Sequence, residues 1–353
     1  MRYIVMSCLI LLIAISCQKK EKPLVLGEIV EVSKVILEKP FFITAIAKGE
    51  DFIVYIDHKK MDLVAMTDDG KVFWTYNKQG KGPGEFSRSM NLAGFKNNTL
   101  YVLDSMLKKI VLFTYDASQK SFTYDDEVVL KSGTVIDVTL MEDGAIAASV
   151  MMGKSELVLL SPTGEILKEL IPTKEVDLRS MSSDEVRAYF TNIKTIKYFN
   201  MKDIIRTNDM DCSLVFGSFS GDTYTELKTI KPKYLLADAE SDMDVKSSKN
   251  NKSIMISTLG FTLVDVVDGS LFVIAPKQGD LENLHCETYD IAGTHVGEYL
   301  FSRKTGQNPA RMFFVNKNTV MYQRYKDDKA EKPEVDESTI YFAEFRPNSG
   351  KNQ

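Results

Sequence analysis

Histidine, cysteine and tryptophan are scarce in this chain: its 353 residues include 3 His, 4 Cys and 1 Trp. A zinc site needs three or four converging nitrogen, sulfur or carboxylate ligands. His58, His285 and His295 are the only histidines, no H-E-x-x-H run occurs, and the cysteines show no C-x-x-C spacing. The motifs of zinc hydrolases are therefore missing. So is the serine elbow G-x-S-x-G, since Gly217-Ser218-Phe219-Ser220-Gly221 carries Phe at its centre. Positive charge is not in excess: 44 Lys and Arg stand against 49 Asp and Glu, for a net charge of −5. With no basic stripe to follow a phosphate backbone, nucleic acid is not an expected partner.

What the chain does have begins at residue 1. Arg2 gives a positive start, residues 3–15 are apolar, Ala14-Ile15-Ser16 precede Cys17, and Gln18-Lys19-Lys20-Glu21-Lys22 turns polar. The apolar run is shorter than the roughly 20 residues of a membrane-spanning helix. The arrangement resembles a bacterial lipoprotein signal, with Ala14 where Leu is favoured. That resemblance implies removal of residues 1–16, lipidation of Cys17, and residues 17–23 as a polar tether to a membrane. Plain secretory cleavage and an uncleaved anchor are the alternatives. The charged cluster after Cys17 is similar to the tag that sends some Gram-negative lipoproteins to the cell surface. The expected address is the cell envelope, as an outer-membrane lipoprotein facing the periplasm or the exterior. Cys8 falls in the leader, which leaves Cys212 and Cys286, both in apolar runs, as buried thiols or a disulfide.

The body of the chain is organised around residues 41–86. Four short apolar runs, 41–47, 51–57, 61–67 and 71–76, are joined by tight links such as Asp68-Asp69-Gly70, and predict one four-stranded antiparallel sheet. The loop Gly80-Lys81-Gly82-Pro83-Gly84-Glu85-Phe86 follows. Its glycines permit positive φ and its proline fixes φ, as a crossover from the outer edge of one sheet to the inner edge of the next requires. It is neither a dinucleotide fingerprint nor a P-loop, and no helix pattern follows it to hold a phosphate. Phe86 is expected to plug the seam between two sheets, and Glu85 to accept backbone N–H groups or pair with Arg88.

The plan repeats. A second sheet is expected over 90–95, 100–104, 109–115 and 121–130, and a third over 134–140, 145–151, 156–161 and 165–171. Asp57 and Asp104 are 47 residues apart, and Gly70 and Gly164 are 94 apart. Four-stranded repeats of this length are the mark of a β-propeller. Ser182-Ser183-Asp184-Glu185, with Val186, Tyr189 and Phe190 at helical spacing, predicts a short inserted helix. A fourth sheet is expected from only three runs, 195–205, 212–219 and 223–230, followed by a polar loop over 238–253. The fifth sheet covers 261–267, 271–275, 285–291 and 295–301. The sixth has three strands, 311–316, 319–325 and 338–345, and the leading run 24–37 supplies its fourth. The fold class is therefore all-β, a six-bladed propeller over residues 24–347 closed by its N-terminal strand, with 348–353 as a tail. A signal ending in cysteine, four-stranded repeats and a Gly-x-Gly-Pro-Gly-Glu-Phe crossover resemble the six-bladed propeller lipoproteins of the NHL and TolB-like type. That resemblance implies a fold more than a reaction.

In a propeller the links after second strands and the crossovers between blades share one face. This places His58, Lys60, Lys81, Glu85, Arg88, Asp104, Lys108 and Tyr325 on a common rim, which suits a glycan, a peptide or another envelope protein. The expected role is non-catalytic binding or scaffolding, with no cofactor. The alternative is a calcium-dependent, lactonase-like hydrolase, with Asp57, Asp104, Asp137 and Asp265 offering hard oxygen ligands in the central channel. Asp238–Asp244 does not complete an EF-hand, because Met243 and Lys249 occupy the glycine and bidentate-acid positions. Asp104-Ser105-Met106 is also similar to a short acceptor motif for O-glycans.

Overall fold

The computed structural model describes residues 24–37, 43–141, 143–151, 154–172, 196–200, 203–208, 213–221, 223–230, 263–267, 269–277, 280–290, 292–302, 309–326 and 334–348. Every regular element among them is a strand. The expected helix over 182–190 and the loop over 238–253 lie outside the described residues.

The leading strand is β1 (Val25–Ile36). Blade 1 contains β2 (Ile43–Lys48), β3 (Phe52–Asp57), β4 (Asp62–Thr67) and β5 (Val72–Tyr76). Blade 2 contains β6 (Met90–Lys96), β7 (Thr99–Asp104), β8 (Lys109–Asp116) and β9 (Ser121–Val129). Blade 3 contains β10 (Thr134–Leu140), β11 (Ile146–Met151), β12 (Ser155–Leu160) and β13 (Ile166–Pro172). Blade 4 contains β14 (Ile196–Asn200), β15 (Asp203–Asn208), β16 (Ser213–Ser220) and β17 (Thr223–Ile230). Blade 5 contains β18 (Leu263–Val267), β19 (Ser270–Lys277), β20 (Asp280–Tyr289) and β21 (His295–Ser302). Blade 6 contains β22 (Pro309–Asn316), β23 (Thr319–Arg324) and β24 (Thr339–Pro347), with β1 as its fourth strand.

Blade 4 corrects the sequence reading. The run 195–205 is two strands, β14 and β15, which pair antiparallel with Asn200 opposite Asp203. The reversal falls at Asn200-Met201-Lys202-Asp203, which carries neither glycine nor proline, the strongest local markers of a turn, so the two strands read as one run. This blade therefore has its full set of four strands.

The ring closes through its innermost strands. β2, β6, β10, β14, β18 and β22 each touch the next, and β22 touches β2. The core is divided in the same way into six apolar clusters, one in each seam between neighbouring blades. The seam between blades 1 and 2 is the most aromatic: Phe52, Phe86, Phe113 and Phe122 are buried in it, with Trp74 and Tyr76 packed alongside. Phe86 is the seam plug expected of the crossover. Trp74 packs against Phe113 and Phe122 of the neighbouring blade, with ring centroids 5.7 and 4.9 Å away. Burying a side chain such as Phe86 stabilises the fold by about 2 kcal/mol.

The N-terminal strand closes the circle and does one thing more. β1 pairs antiparallel with β24, from Gly27 opposite Pro347 to Ile36 opposite Thr339. Its first residues also pair parallel with β21, Val25 with Glu298 and Ile29 with Phe301. One strand thus covers the outer edges of blades 5 and 6 and joins them in a single eight-stranded sheet, which leaves neither edge open to another chain. The approach at Gly27 is so close that a Cβ there would sit 2.0 Å from the Arg346 carbonyl oxygen. Farther along, Glu31 accepts the Tyr322 hydroxyl at 2.6 Å and pairs with Arg324. The Arg324 guanidinium lies 3.9 Å above the centre of the Tyr341 ring, so a cation–π contact and a charged pair reinforce the closure.

Strand direction alternates within each blade, so the links sort to two ends. The links after second strands and the crossovers gather at one, the crossover end. The hairpins after first and third strands gather at the other, the hairpin end.

Candidate functional site

The crossover between blades 1 and 2 is held as a fixed piece of structure. Glu85 Oε2 accepts the Gly82 N–H at 2.8 Å, the Gly80 N–H donates to the Phe86 carbonyl at 2.9 Å, and the Phe86 N–H to the Lys78 carbonyl at 2.9 Å. The Tyr76 hydroxyl donates to the Gly84 carbonyl at 2.8 Å. Gly84 has φ +71°, and a Cβ there would lie 2.9 Å from the Tyr124 ring and 3.0 Å from the Tyr76 hydroxyl. From blade 2, the buried Lys109 donates to the Gly82 carbonyl at 3.0 Å and to Glu127 at 2.7 Å. Glu127 in turn accepts the Gly84 N–H at 3.3 Å. Glu85 therefore serves the loop itself, and no ion pair joins it to Arg88 among the described residues.

Asp104 performs the same service on the other side. Its fully buried carboxylate accepts the Ser87 N–H at 2.6 Å, the Ser87 hydroxyl at 2.7 Å and the Leu107 N–H at 2.9 Å. It ties the end of the crossover to the turn between β7 and β8. In the Asp104-Ser105-Met106 run the aspartate thus faces inward.

Two adjoining clefts open against this framework. One, of about 380 Å³, is lined by Gln79, Gly80, Lys81, Phe86, Ser87, Arg88, Met106 and Leu107. The other, of about 490 Å³, is lined by Ser89, Met90, Asn91, Ser105, Met106, Lys108, Thr134, Ile136 and Met151. Met106 stands between them and is 70 % exposed. Lys81, Arg88 and Lys108 are exposed at the mouths, and none of them has an acidic partner among the described residues. The sequence reading weighed Met106 only as part of a glycan-acceptor run and gave neither it nor Leu107 a part in binding. The available signal was an apolar pair in a turn, where polar residues are usual.

The other rim residues sit at the same end but farther round. His58 and Lys60 belong to the exposed turn between β3 and β4. Gln79 donates to the Lys60 carbonyl at 3.0 Å and joins that turn to the crossover. Lys59 reaches Glu337 of blade 6 at 2.7 Å, and this hydrogen bond, offset by a little burial, raises its pKa. Tyr325 follows β23 and bridges to Val335.

The four aspartates considered for calcium are dispersed. Asp57 is buried at the end of β3 and accepts the Lys59 N–H at 3.2 Å, with Lys60 Nζ at 3.8 Å. Asp137 and Asp265 lie within β10 and β18, where each accepts the N–H of the next residue at 2.9 Å. Among the described residues no three His, Cys, Asp or Glu side chains come together to hold a metal ion. His285 and His295 occupy β20 and β21 as expected. His285 Nδ1 lies 3.0 Å from Glu298 Oε2, and both side chains are buried.

The comparisons with known proteins bear on the fold. A solved candidate exported protein from Bacteroides fragilis is 14 % identical, with a TM-score of 0.56 over 90 % of this chain and 95 % of that one. A member of the duf4221 family from Bacteroides vulgatus is 11 % identical, with a TM-score of 0.56 over 90 % of this chain and 98 % of that one. A streptogramin B lyase is 11 % identical, with a TM-score of 0.51 over the same shares. At these identities the likeness is one of fold. No curated protein matches the sequence. The family model DUF5128, described as a 6-bladed beta-propeller, matches residues 42–231. More than half of the sequence falls within that match, and the chain belongs to this family of six-bladed propellers.

Proposed function

We propose that this propeller is a lipid-anchored, non-catalytic binding module outside the cytoplasm, and that its ligand is an anionic peptide, glycan or envelope protein with an apolar portion. One observation carries the reading: a clamped crossover presents the exposed cations Lys81, Arg88 and Lys108, without an acidic partner among the described residues, around two adjoining clefts whose walls include Phe86, Met106 and Leu107. Preformed walls lower the ordering cost of binding, and such cations add selectivity for negative charge. The run from Arg2 to Cys17 supports export and lipidation, and the Gly80–Phe86 crossover supports kinship with NHL and TolB-like lipoproteins.

Binding of the purified protein to an array of acidic peptides and acidic glycans tests the site. Arg88→Ala with Lys108→Ala is expected to weaken the captured set by about tenfold and to flatten its salt dependence. A captured set indifferent to both changes overturns the assignment. Calcium is the control for the hydrolase alternative: a large rise in Tm on adding Ca²⁺ would favour that enzyme, because ligands that bind only the folded state stabilise it.

A further inference from the structure

We propose that a lipid on Cys17 turns the hairpin end of the ring toward the bilayer, so that the clefts meet their ligand on the side away from the anchoring membrane. This rests on the anchored-module reading. Its own support is the direction of β1. That strand runs antiparallel to β24 and parallel to β21, and so begins at the hairpin end, opposite the crossovers that build the clefts.

The exit point has little slack. The Glu298 N–H donates to the Leu24 carbonyl at 2.9 Å, and the Asn348 N–H to the Leu26 carbonyl at 2.9 Å. Asn348 Nδ2 donates to the Val25 carbonyl at 3.0 Å. The chain is thus fastened up to the residue that follows the expected tether. Residues 17–23, even fully extended, reach no further than about 25 Å. A six-residue strand such as β3 already spans about 20 Å between the two ends. The clefts therefore reach the anchoring bilayer only if the ring lies over on its rim or the tether is stretched to nearly its full length along the outside of the ring, whereas the hairpin end meets the bilayer with the tether slack. An anionic headgroup of that bilayer is the disfavoured source of ligand, and an acidic polymer or a protein in the space beyond is the favoured one.

The test uses full-length lipidated protein in phosphatidylcholine vesicles that carry a headgroup-attached quencher. Gln119→Cys places a fluorescent reporter in the exposed hairpin between β8 and β9, and Lys81→Cys places one at a cleft mouth. Both are made with Cys212→Ser, Cys286 is buried, and peptide mapping checks that the reporter sits on the introduced cysteine alone. Quenching at Gln119→Cys is expected to be at least twofold stronger than at Lys81→Cys, and to vanish with Cys17→Ala. Equal quenching at the two positions, including none at either, or stronger quenching at Lys81→Cys, overturns the orientation and leaves the anchor standing. Protein that fails to float with the vesicles overturns the anchor and the orientation together.

Discussion

Lys109 and Glu127 stand diagonally across β8 and β9, with Nζ 2.7 Å from Oε2, and between them they hold the crossover that arrives from blade 1. Lys109 is nearly buried, and its remaining reach is to the Gly82 carbonyl. Removing the lysine leaves a partly buried carboxylate without its cation. Lys109→Met is expected to lower stability by about 2 kcal/mol, below the 3–5 kcal/mol of a fully buried pair because Glu127 keeps some contact with water. The double change with Glu127→Gln should recover part of that loss. Urea unfolding of the two single variants and the double variant measures the coupling.

Closure of the ring is testable at Gly27. No Cβ fits there without displacing the Arg346 backbone, so Gly27→Ala must part β1 from β24. The expected loss is about 2–4 kcal/mol, in the range of overpacking and broken ladder bonds together. Hydrogen exchange should show loss of protection in β1, β24 and β21, with blades 2 and 3 spared. Uniform loss across all blades would show that the ring opens as a unit.

Cys286 is fully buried in the seam between blades 5 and 6. Burial pushes its thiol pKa well above the usual value, and Glu287 and Glu298 push in the same direction. The thiolate is the reactive species. A thiol reagent at pH 8 should therefore leave Cys286 unmodified in folded protein and label it only in denaturant, as peptide mapping will read.

Asp62 gives a pH dependence whose sign can be worked out. Burial raises its pKa from 3.8, the charge of Asp57 adds to this, and Lys60 opposes it. The folded state then holds a proton more tightly than the unfolded one. Stability from this group is full below pH 3.8 and is lost as pH rises through the folded pKa. Asp62→Asn should stabilise the protein at pH 7 by less than about 1 kcal/mol, since the group is largely solvated, and should change nothing at pH 3. Tm measured at the two pH values checks it.

Much of this architecture could be read before any coordinates. The 47-residue interval between Asp57 and Asp104 is matched by two strands that end at equivalent places in adjacent blades, and the leading strand does complete blade 6. Alternation, turn residues and repeat length are local properties, so they survive in a linear string. The hairpin at Asn200 and Asp203 escapes the sequence reading because its link, Asn200-Met201-Lys202-Asp203, has no glycine or proline to mark the turn. Asp104 was noticed for its chemistry, and its work is to tie Ser87 to Leu107.

The sequence by itself determined that the chain makes four-stranded sheets at a regular interval and that its first strand is needed by its last. Side-chain period and turn chemistry are written residue by residue. Only the tertiary structure decided that β1 also seizes β21, that Lys109 and Glu127 grip the crossover, and that Met106 parts two clefts. Those contacts join residues distant in the chain, and their partners follow from how the blades are seated around the axis, which no local pattern encodes.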